Sequence, residues 1–552
     1  MNIGDMQRKL SLWATQDKER TFYDLYSLLV NDDWIRLAHD HVARNAGSVT
    51  AGCDGITMQD FDEHLERNLH QLLSDLKART FAPQPVRRVY IPKAHGKVRP
   101  LGIPAIRDRI VQEALRMILE PIFEADFSQY SFGFRPNRRT MDAVRYIQWS
   151  ASERKKFFWV IEGDIASYFD TIHHPKLLRC VGRRVKDRPL LQLLGKFLRA
   201  GVMEKRTFTD TKLGTPQGGI ISPLLANLYL HELDQFMAEH TALSPWERVR
   251  RRQAGLGNFT YVRYADDFVV LCNGPKRQVE TMREELYTFL TTSLHLELSR
   301  EKTKITHLND GCRFLGFWIQ RRLGSKGIMT TKVTIPKEAI DKMKATLNLA
   351  LTPGFVQDAV TTKIIAINRI IRGWCQYYQY TSSASTQFHQ LEEHLFWKMA
   401  HWLGKKFKLS MPLVMQRFVR DNTFVYEKSR LIMPGEFKSS QYRERFFKPN
   451  PYLTQKPHVT REELLGDLSW NGYEQRPGMA DLRPLILERD HYTCKNCGIT
   501  FAEAELQVDH IRPVRRFKQP VDANVEGNLQ TLCITCHKAK TQSDRQVESR
   551  VR

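Results

Sequence analysis

Two hydrophobic rhythms alternate along the first 330 or so residues, and one of them takes over afterwards. Residues 1 to about 80 carry apolar positions such as Leu25, Leu28, Leu29 and Leu37 at helical spacing, with a turn-rich spot at Ala51 to Thr57. Val89 to Pro104 reads as two short strands around a Gly-centred turn. A helix from about Asp108 to Phe123, a loop at Phe132 to Asn137 and a helix near Asp142 follow. The run Phe157 to Ile161 is a strand leading into Asp164, and a helical stretch extends from there through Phe197. Leu213 to Pro223 is a Gly/Pro loop that opens a helix through Leu233. Phe259 to Val262 and Phe268 to Cys272 flank Asp266 and Asp267 as a β-hairpin, and Phe314 to Trp318 is β-like. From about 335 the pattern is helical: Ile340, Met343, Leu347 and Ala350, then Ile364, Ile367, Ile371, Trp374 and Tyr378. Lys363, Arg369 and Arg372 fall between them. The stretch 430–480 is irregular and basic, with Arg443, Arg445, Lys448 and Lys456.

The strand ends carry the first chemistry. Asp164 ends one apolar run, and Asp266-Asp267 sits between two others. Acids collect at strand ends because they are solvated there, so a lone Asp-Asp pair would carry little weight. Three carboxylates on neighbouring strands at one edge repel each other unless cations lie between them, and they suit two Mg²⁺ ions. Such a centre activates a 3′-hydroxyl and neutralises pyrophosphate, which is nucleotidyl transfer.

Composition narrows the partners. The chain has 552 residues, 42% hydrophobic and 10% aromatic, and so belongs to a folded, multidomain protein. Its net charge of +23 and pI near 9.6 point to a polyanion. No apolar run reaches eighteen residues and the N-terminus has no secretory pattern, so the expectation is an intracellular protein, cytoplasmic or organellar, with no membrane segment.

Cys53, Cys180, Cys272, Cys312 and Cys375 are scattered and expected to be reduced. Cys494/Cys497 and Cys533/Cys536 form two Cys-x-x-Cys pairs, whose four thiolates suit structural Zn²⁺. Asp509, His510, Asn528 and His537 lie within or beside these pairs. Four cysteines alone fit a DNA-binding zinc ribbon equally well. His173 and His174 are expected to serve as helix-capping or surface residues rather than metal ligands.

The motifs in their order resemble the proteins encoded within group II introns. These are Arg99 to Pro104, Gly133 to Pro136, Asp164 with Phe169, Thr215 to Gly219, Tyr264 to Asp267, Glu301 to Thr303, Phe314 to Phe317, and Ile370 to Tyr378. The resemblance covers residues 45–540. It implies a multidomain α+β chain: a right-hand polymerase with fingers and an antiparallel palm sheet over 1–330, and an α-helical maturase thumb (domain X) over 331–425. A basic DNA-binding linker region over 426–480 and a zinc-containing ββα-metal HNH endonuclease over 481–552 complete it.

By the same resemblance Asp164, Asp266 and Asp267 bind catalytic Mg²⁺, and Phe169 excludes a 2′-hydroxyl. Lys93 and Arg99 neutralise the triphosphate, Gln217 and Gly218 line the nucleotide pocket, and Phe314 to Phe317 form the primer grip. In the C-terminal module His510 is the general base, Asp509 and His537 hold a divalent ion, and Asn528 orients the His510 side or the loop. The implied partners are group II intron RNA, target DNA and deoxynucleoside triphosphates; a homodimer is compatible with the sequence. The implied function is RNA-directed DNA synthesis, promotion of splicing, and intron mobility by second-strand nicking and target-primed reverse transcription. The rivals are a non-enzymatic splicing factor, a reverse transcriptase of a retron or defence system, and an HNH endonuclease with a degenerate appendage.

Overall fold

The computed structural model describes residues 2–454 apart from 93–97, 205–206, 210–212, 215–217, 300, 302, 325–326, 353–358 and 443–445, and then 486–487, 489–491, 493–500, 506–512, 523, 526–537 and 539–540. Lys93, Gln217, Lys302, Arg443, Arg445 and Lys456 lie outside the described residues, and Arg99 is described in its backbone. The chain forms a large unit, Gln7–Thr454, and a second unit that holds 455–552 together with the first six residues.

Among the described residues the strands of the large unit run, in chain order, β1 (Val86–Pro92), β2 (Val98–Ile103), β3 (Trp159–Asp164), β4 (Val202–Glu204), β5 (Thr207–Thr209), β6 (Phe259–Tyr264), β7 (Asp267–Cys272), β8 (Lys304–His307), β9 (Cys312–Phe314), β10 (Phe317–Leu323), β11 (Met329–Thr334), β12 (Val419–Arg420), β13 (Thr423–Tyr426) and β14 (Ser429–Arg430). The central sheet has the order β6-β7-β3-β8, antiparallel throughout. After Asp267, β7 is buried at every residue, the mark of a strand covered on both faces. The helices Thr140–Ser150 and Ser222–Thr241 pack on β6, and Lys276–Leu294 packs on β3. A second sheet, β2-β1-β4-β5, stands on the hairpin from Arg87 opposite Ile103 to Pro92 opposite Val98.

The helical rhythm after 335 becomes the helices Lys337–Ala350, Val360–Tyr378, Ala384–Phe407 and Met411–Phe418. Val360–Tyr378 buries Val360, Ile364, Ile367, Ile371, Cys375 and Tyr378, one stripe at three- and four-residue spacing, and leaves Arg369 and Arg372 exposed. Trp374 flanks that stripe, half-buried against Tyr378 and Phe388. One hydrophobic core runs from Val160, Val262 and Val269 of the central sheet through Phe314 and Phe317 into Ile371, Phe388 and Leu395. Sheet and helical block are thus continuous.

The described part of the stretch expected to be a basic linker or small module is packed. Tyr442 is buried and donates to Asp142 Oδ1 at 2.5 Å. Phe447 lies against Tyr130, Phe132 and Tyr146, and Phe446 against Tyr146 and Trp149. Lys448 faces Asp142 at 3.7 Å, Asn450 donates to Ser11 Oγ, and Tyr452 donates to Glu120 at 2.7 Å. The aromatic residues between the basic ones carry this docking.

In the second unit, β15 (Leu506–His510) and β16 (Leu529–Cys533) pair antiparallel, Leu506 opposite Cys533 and His510 opposite Leu529, and helical residues 534–537 follow. Among its described residues Ile486, Val508 and Leu529 form one apolar cluster, and Leu506 and Leu532 pack beside Cys494 and Cys533.

Candidate functional site

Register sets two of the acids expected from the sequence directly opposite each other, and the adjoining turn carries the third. Asp164, the last residue of β3, stands directly opposite Asp267, the first of β7. Directly opposed residues share a face with Cβ atoms about 5 Å apart, where like charges destabilise. Tyr264 pairs with Asp267 across a two-residue turn, so Ala265 and Asp266 form the tip. Ala265 takes φ +56°, the left-handed conformation that such a tight turn demands. Asp164 and Asp266 are half-buried and Asp267 is exposed. Carboxylates at one end of a sheet are the oxygen donors that a hard divalent cation prefers.

Behind the turn lies a network that sequence reasoning missed. Arg263, fully buried in β6, forks onto Asp234 at 2.8 and 2.5 Å. Its Nη1 donates to Asn227 Oδ1 at 2.8 Å and to the carbonyl of Ala265 in the turn at 3.1 Å. Asn227 Nδ2 donates in turn to the carbonyl of Gly133 at 2.8 Å. Burial pushes the Asp234 carboxyl up, but the Arg263 guanidinium outweighs it and holds the group well below the usual range. A Cβ on Gly133 would lie 2.3 Å from the Ala265 nitrogen, so only glycine lets this loop touch the turn. The one local hint in the sequence was a charged residue, Arg263, inside an otherwise apolar and aromatic strand.

The loops around the acids converge by close contact. Phe169 is half-buried, edge-on to Phe134 at 6.4 Å, and Phe134 is itself half exposed. Beside it, buried Tyr168 donates to the Ala226 carbonyl at 2.6 Å. Gly218 has φ +121°, and a Cβ there would lie 2.5 Å from the Gly102 carbonyl oxygen of β2. This contact seats the Gly-rich loop on the Arg99 to Pro104 segment. Of the helix-capping or surface role expected for His174, the surface part does not hold: it is buried at the start of the helix His174–Gly182, its Nε2 2.5 Å from the Gly214 carbonyl oxygen, because the loop before Thr215 folds back over that helix. His173 precedes that helix without a side-chain capping bond and packs edge-on against His295. Phe314 and Phe317 flank a Leu315-Gly316 turn whose carbonyls accept from Tyr377 at 2.7 Å and Tyr378 at 3.2 Å.

In the second unit the sulfur atoms of Cys494, Cys497, Cys533 and Cys536 all lie within 4.8 Å of one another, Cys497 and Cys533 at 3.7 Å. A tetrahedron of thiolates about 2.3 Å from zinc has edges of about 3.8 Å, so the four fit that ion. Burial pushes the Cys494 thiol up, but backbone N–H groups, chiefly of Cys533 and Cys497, bring it down to about 6. His537 is turned away from this cluster, its Nε2 3.4 Å from Asp509 Oδ1, and Lys540 Nζ lies 3.1 Å from Oδ2. His510 is buried at the end of β15. Asn528 fastens the loop that follows: its carbonyl accepts from Ile511 N and its Oδ1 from Arg512 N, and its Nδ2 donates to Ala523.

Comparison with known proteins follows the same divisions. Residues 91–319 match the family "Reverse transcriptase (RNA-dependent DNA polymerase)", 340–419 "Group II intron, maturase-specific domain", and 494–543 "HNH endonuclease". Protein YkfC of Escherichia coli (strain K12) is 40% identical over 64% of this chain and 97% of its own length. Group II intron-encoded protein LtrA of Lactococcus lactis subsp. cremoris is 29% identical over 96% of this chain and 97% of its own. The putative COX1/OXI3 intron 2 protein of Saccharomyces cerevisiae is 28% identical over 91% of this chain and 64% of its own. With three matched segments in one order and alignment along nearly the whole chain, this protein belongs to the group II intron-encoded proteins.

Proposed function

We infer that the chain is the RNA-directed DNA polymerase of a group II intron, which binds its intron RNA, promotes splicing, and supports mobility by nicking target DNA and extending the nicked end. The observation that carries the polymerase reading is the register of Asp164 against Asp267 with Asp266 in the adjoining turn. Asp164 and Asp266 are the main Mg²⁺ ligands and Asp267 the third acid. Bound there, Mg²⁺ supplies activation of the primer 3′-hydroxyl and charge neutralisation at the departing pyrophosphate. Phe169 fills the space of a ribose 2′-hydroxyl, and the Phe134 ring edge braces it. Lys93 and Arg99 balance the triphosphate charge, and Gln217 and Gly218 line the nucleotide pocket. The roles correspond to fingers and palm over 1–330, a thumb over 331–425, a DNA-binding region over 426–480 and a nuclease over 481–552.

In the nuclease, His510 takes the proton from water and Asn528 holds the loop beside it. Asp509 and His537, 3.4 Å apart, are the pair for a divalent ion, which supplies Lewis-acid stabilisation of the scissile phosphate. The four cysteines hold structural Zn²⁺.

The test is Asp266→Ala. DNA synthesis from a pre-annealed primer should be abolished, while intron RNA binding and splicing persist. Equal collapse of splicing and synthesis in a folded variant would overturn the assignment.

A further inference from the structure

The central sheet has two unlike ends. Asp164, Asp267 and Tyr264 share one; Trp159, Cys272 and Phe259 share the other, five residues away. At about 3.3 Å per residue that is roughly 17 Å. Two basic segments gather at the end away from the acids. One is Arg154, Lys155 and Lys156, just before β3; the other is the helix Pro245–Gln253, just before β6, with Arg248, Arg250 and Arg252.

Two asparagines stitch these segments together. Asn258 donates to the Arg248 carbonyl at 3.2 Å and to Asn273 Oδ1 through its backbone at 2.7 Å. Asn273 Nδ2 donates to the Lys155 carbonyl at 3.3 Å. The six cations therefore form one patch. Lys155 registers it: burial first, then the charges of Arg248 and Arg154, hold its ammonium below the usual value. The acids within the two segments are engaged elsewhere, Glu247 in the cap of its own helix at Ser244 and Glu153 with Arg321. Among the described residues no ion pair neutralises any of the six cations.

The helix itself buries none of its residues. A capping box at Ser244 and Glu247 and a proline in its first turn hold it, and Arg251 Nε donates to the Gly257 carbonyl at 3.1 Å. It displays Trp246, 68% exposed, beneath Arg250 at 5.6 Å. Packing does not account for such a helix. Concentrated positive charge beside an exposed indole is the chemistry of phosphate contact with base stacking.

We propose that this patch is an anchor for the phosphate backbone of the folded intron RNA, separate from the polymerase centre. It rests on the reading that the chain binds its intron RNA. It lies on the polymerase unit, outside both the 426–480 region and the nuclease, the two parts to which target DNA is assigned. Its distance from the acids lets it hold RNA without obstructing the primer.

The experiment uses the full chain with Arg154→Gln, Lys156→Gln, Arg250→Gln and Arg252→Gln combined. Three probes are used: a transcript of the intron carrying this reading frame, duplex DNA of random sequence, and a short primer–template heteroduplex. Four lost phosphate contacts, at about 0.7–0.9 each, should lower the slope of log affinity against log salt for the transcript by about 3 and weaken binding about ten-fold or more. Extension of the heteroduplex and the thermal melt should stay as in the parent. Unchanged transcript affinity and slope would overturn the anchor, and so would an equal loss on random duplex DNA. If the unsubstituted protein does not bind the transcript above random DNA, the RNA-binding reading itself has failed.

Discussion

At the residue scale, the proposed exclusion of a 2′-hydroxyl by the Phe169 ring has a direct test. Truncation to Ala opens the volume it fills, so Phe169→Ala should raise ribonucleotide use relative to deoxynucleotide use by about ten- to a hundred-fold. Competitive single-nucleotide incorporation measures this ratio; an unchanged ratio removes the gate. Phe134→Ala should shift it in the same direction and less, because that ring only braces the first. Asp108 is a different case. Burial raises its carboxyl to about 7, against the hydrogen bond from Gln84 N at 2.8 Å. The folded state therefore holds that proton more tightly than the unfolded chain does. Its stabilising contribution is full below the ordinary carboxylate pKa and is lost as pH rises toward 7, a loss of the order of a few kcal/mol. Thermal melts of Asp108→Asn from pH 4 to 8 should lack that loss.

At the element scale, the turn between β6 and β7 depends on a buried ion pair rather than on its own residues. Breaking one partner strands the other charge, so Arg263→Met should destabilise the large unit by about 3–5 kcal/mol, read by denaturant melts. The pair acts as one, so Asp234→Asn combined with Arg263→Met should cost less than the two single costs added. A strictly additive pair would show that the fork seen here is not energetically coupled. The aromatic strap is the second such element. Tyr442→Phe leaves buried Asp142 without that hydrogen bond, at about 1–3 kcal/mol.

At the scale of the whole molecule, the two units stand on different footings. The large one has a continuous core from sheet to helical block, while the described apolar residues of the second cluster beside its four cysteines and along the β15–β16 pair. Zinc in a structural site contributes folding free energy directly, on the order of 10 kcal/mol. Cys494→Ser, or chelation, should therefore unfold the second unit and stop DNA nicking, while primer extension continues. His510→Ala should also stop nicking but keep its zinc, since an imidazole base and a zinc ligand are separate roles. Metal analysis beside a strand-nicking assay separates the two. A His510→Ala protein that nicks at the parental rate would leave the second unit a DNA-binding zinc module.

The sequence by itself determined what depends on local pattern and residue chemistry. The apolar runs around Asp164 and Asp266-Asp267 specified strands and a hairpin, the stripe from Ile364 to Tyr378 specified a helix, and Cys-x-x-Cys spacing specified a four-cysteine cluster able to hold a metal ion. Side-chain period and ligand type are carried by a few neighbouring residues, and tertiary packing only had to accommodate them. Other features were decided between segments far apart in the chain. The opposition of Asp164 and Asp267 is a matter of register across more than a hundred residues. Arg263 finds Asp234 and Asn227 only once a strand is laid on a helix. The docking of Tyr442, Phe446 and Phe447 was not legible in a stretch expected to be a basic linker or small module, because nothing in its local sequence names the surface that receives them. Burial converts distant residues into partners through desolvation and shape, and neither quantity exists until the chain has folded.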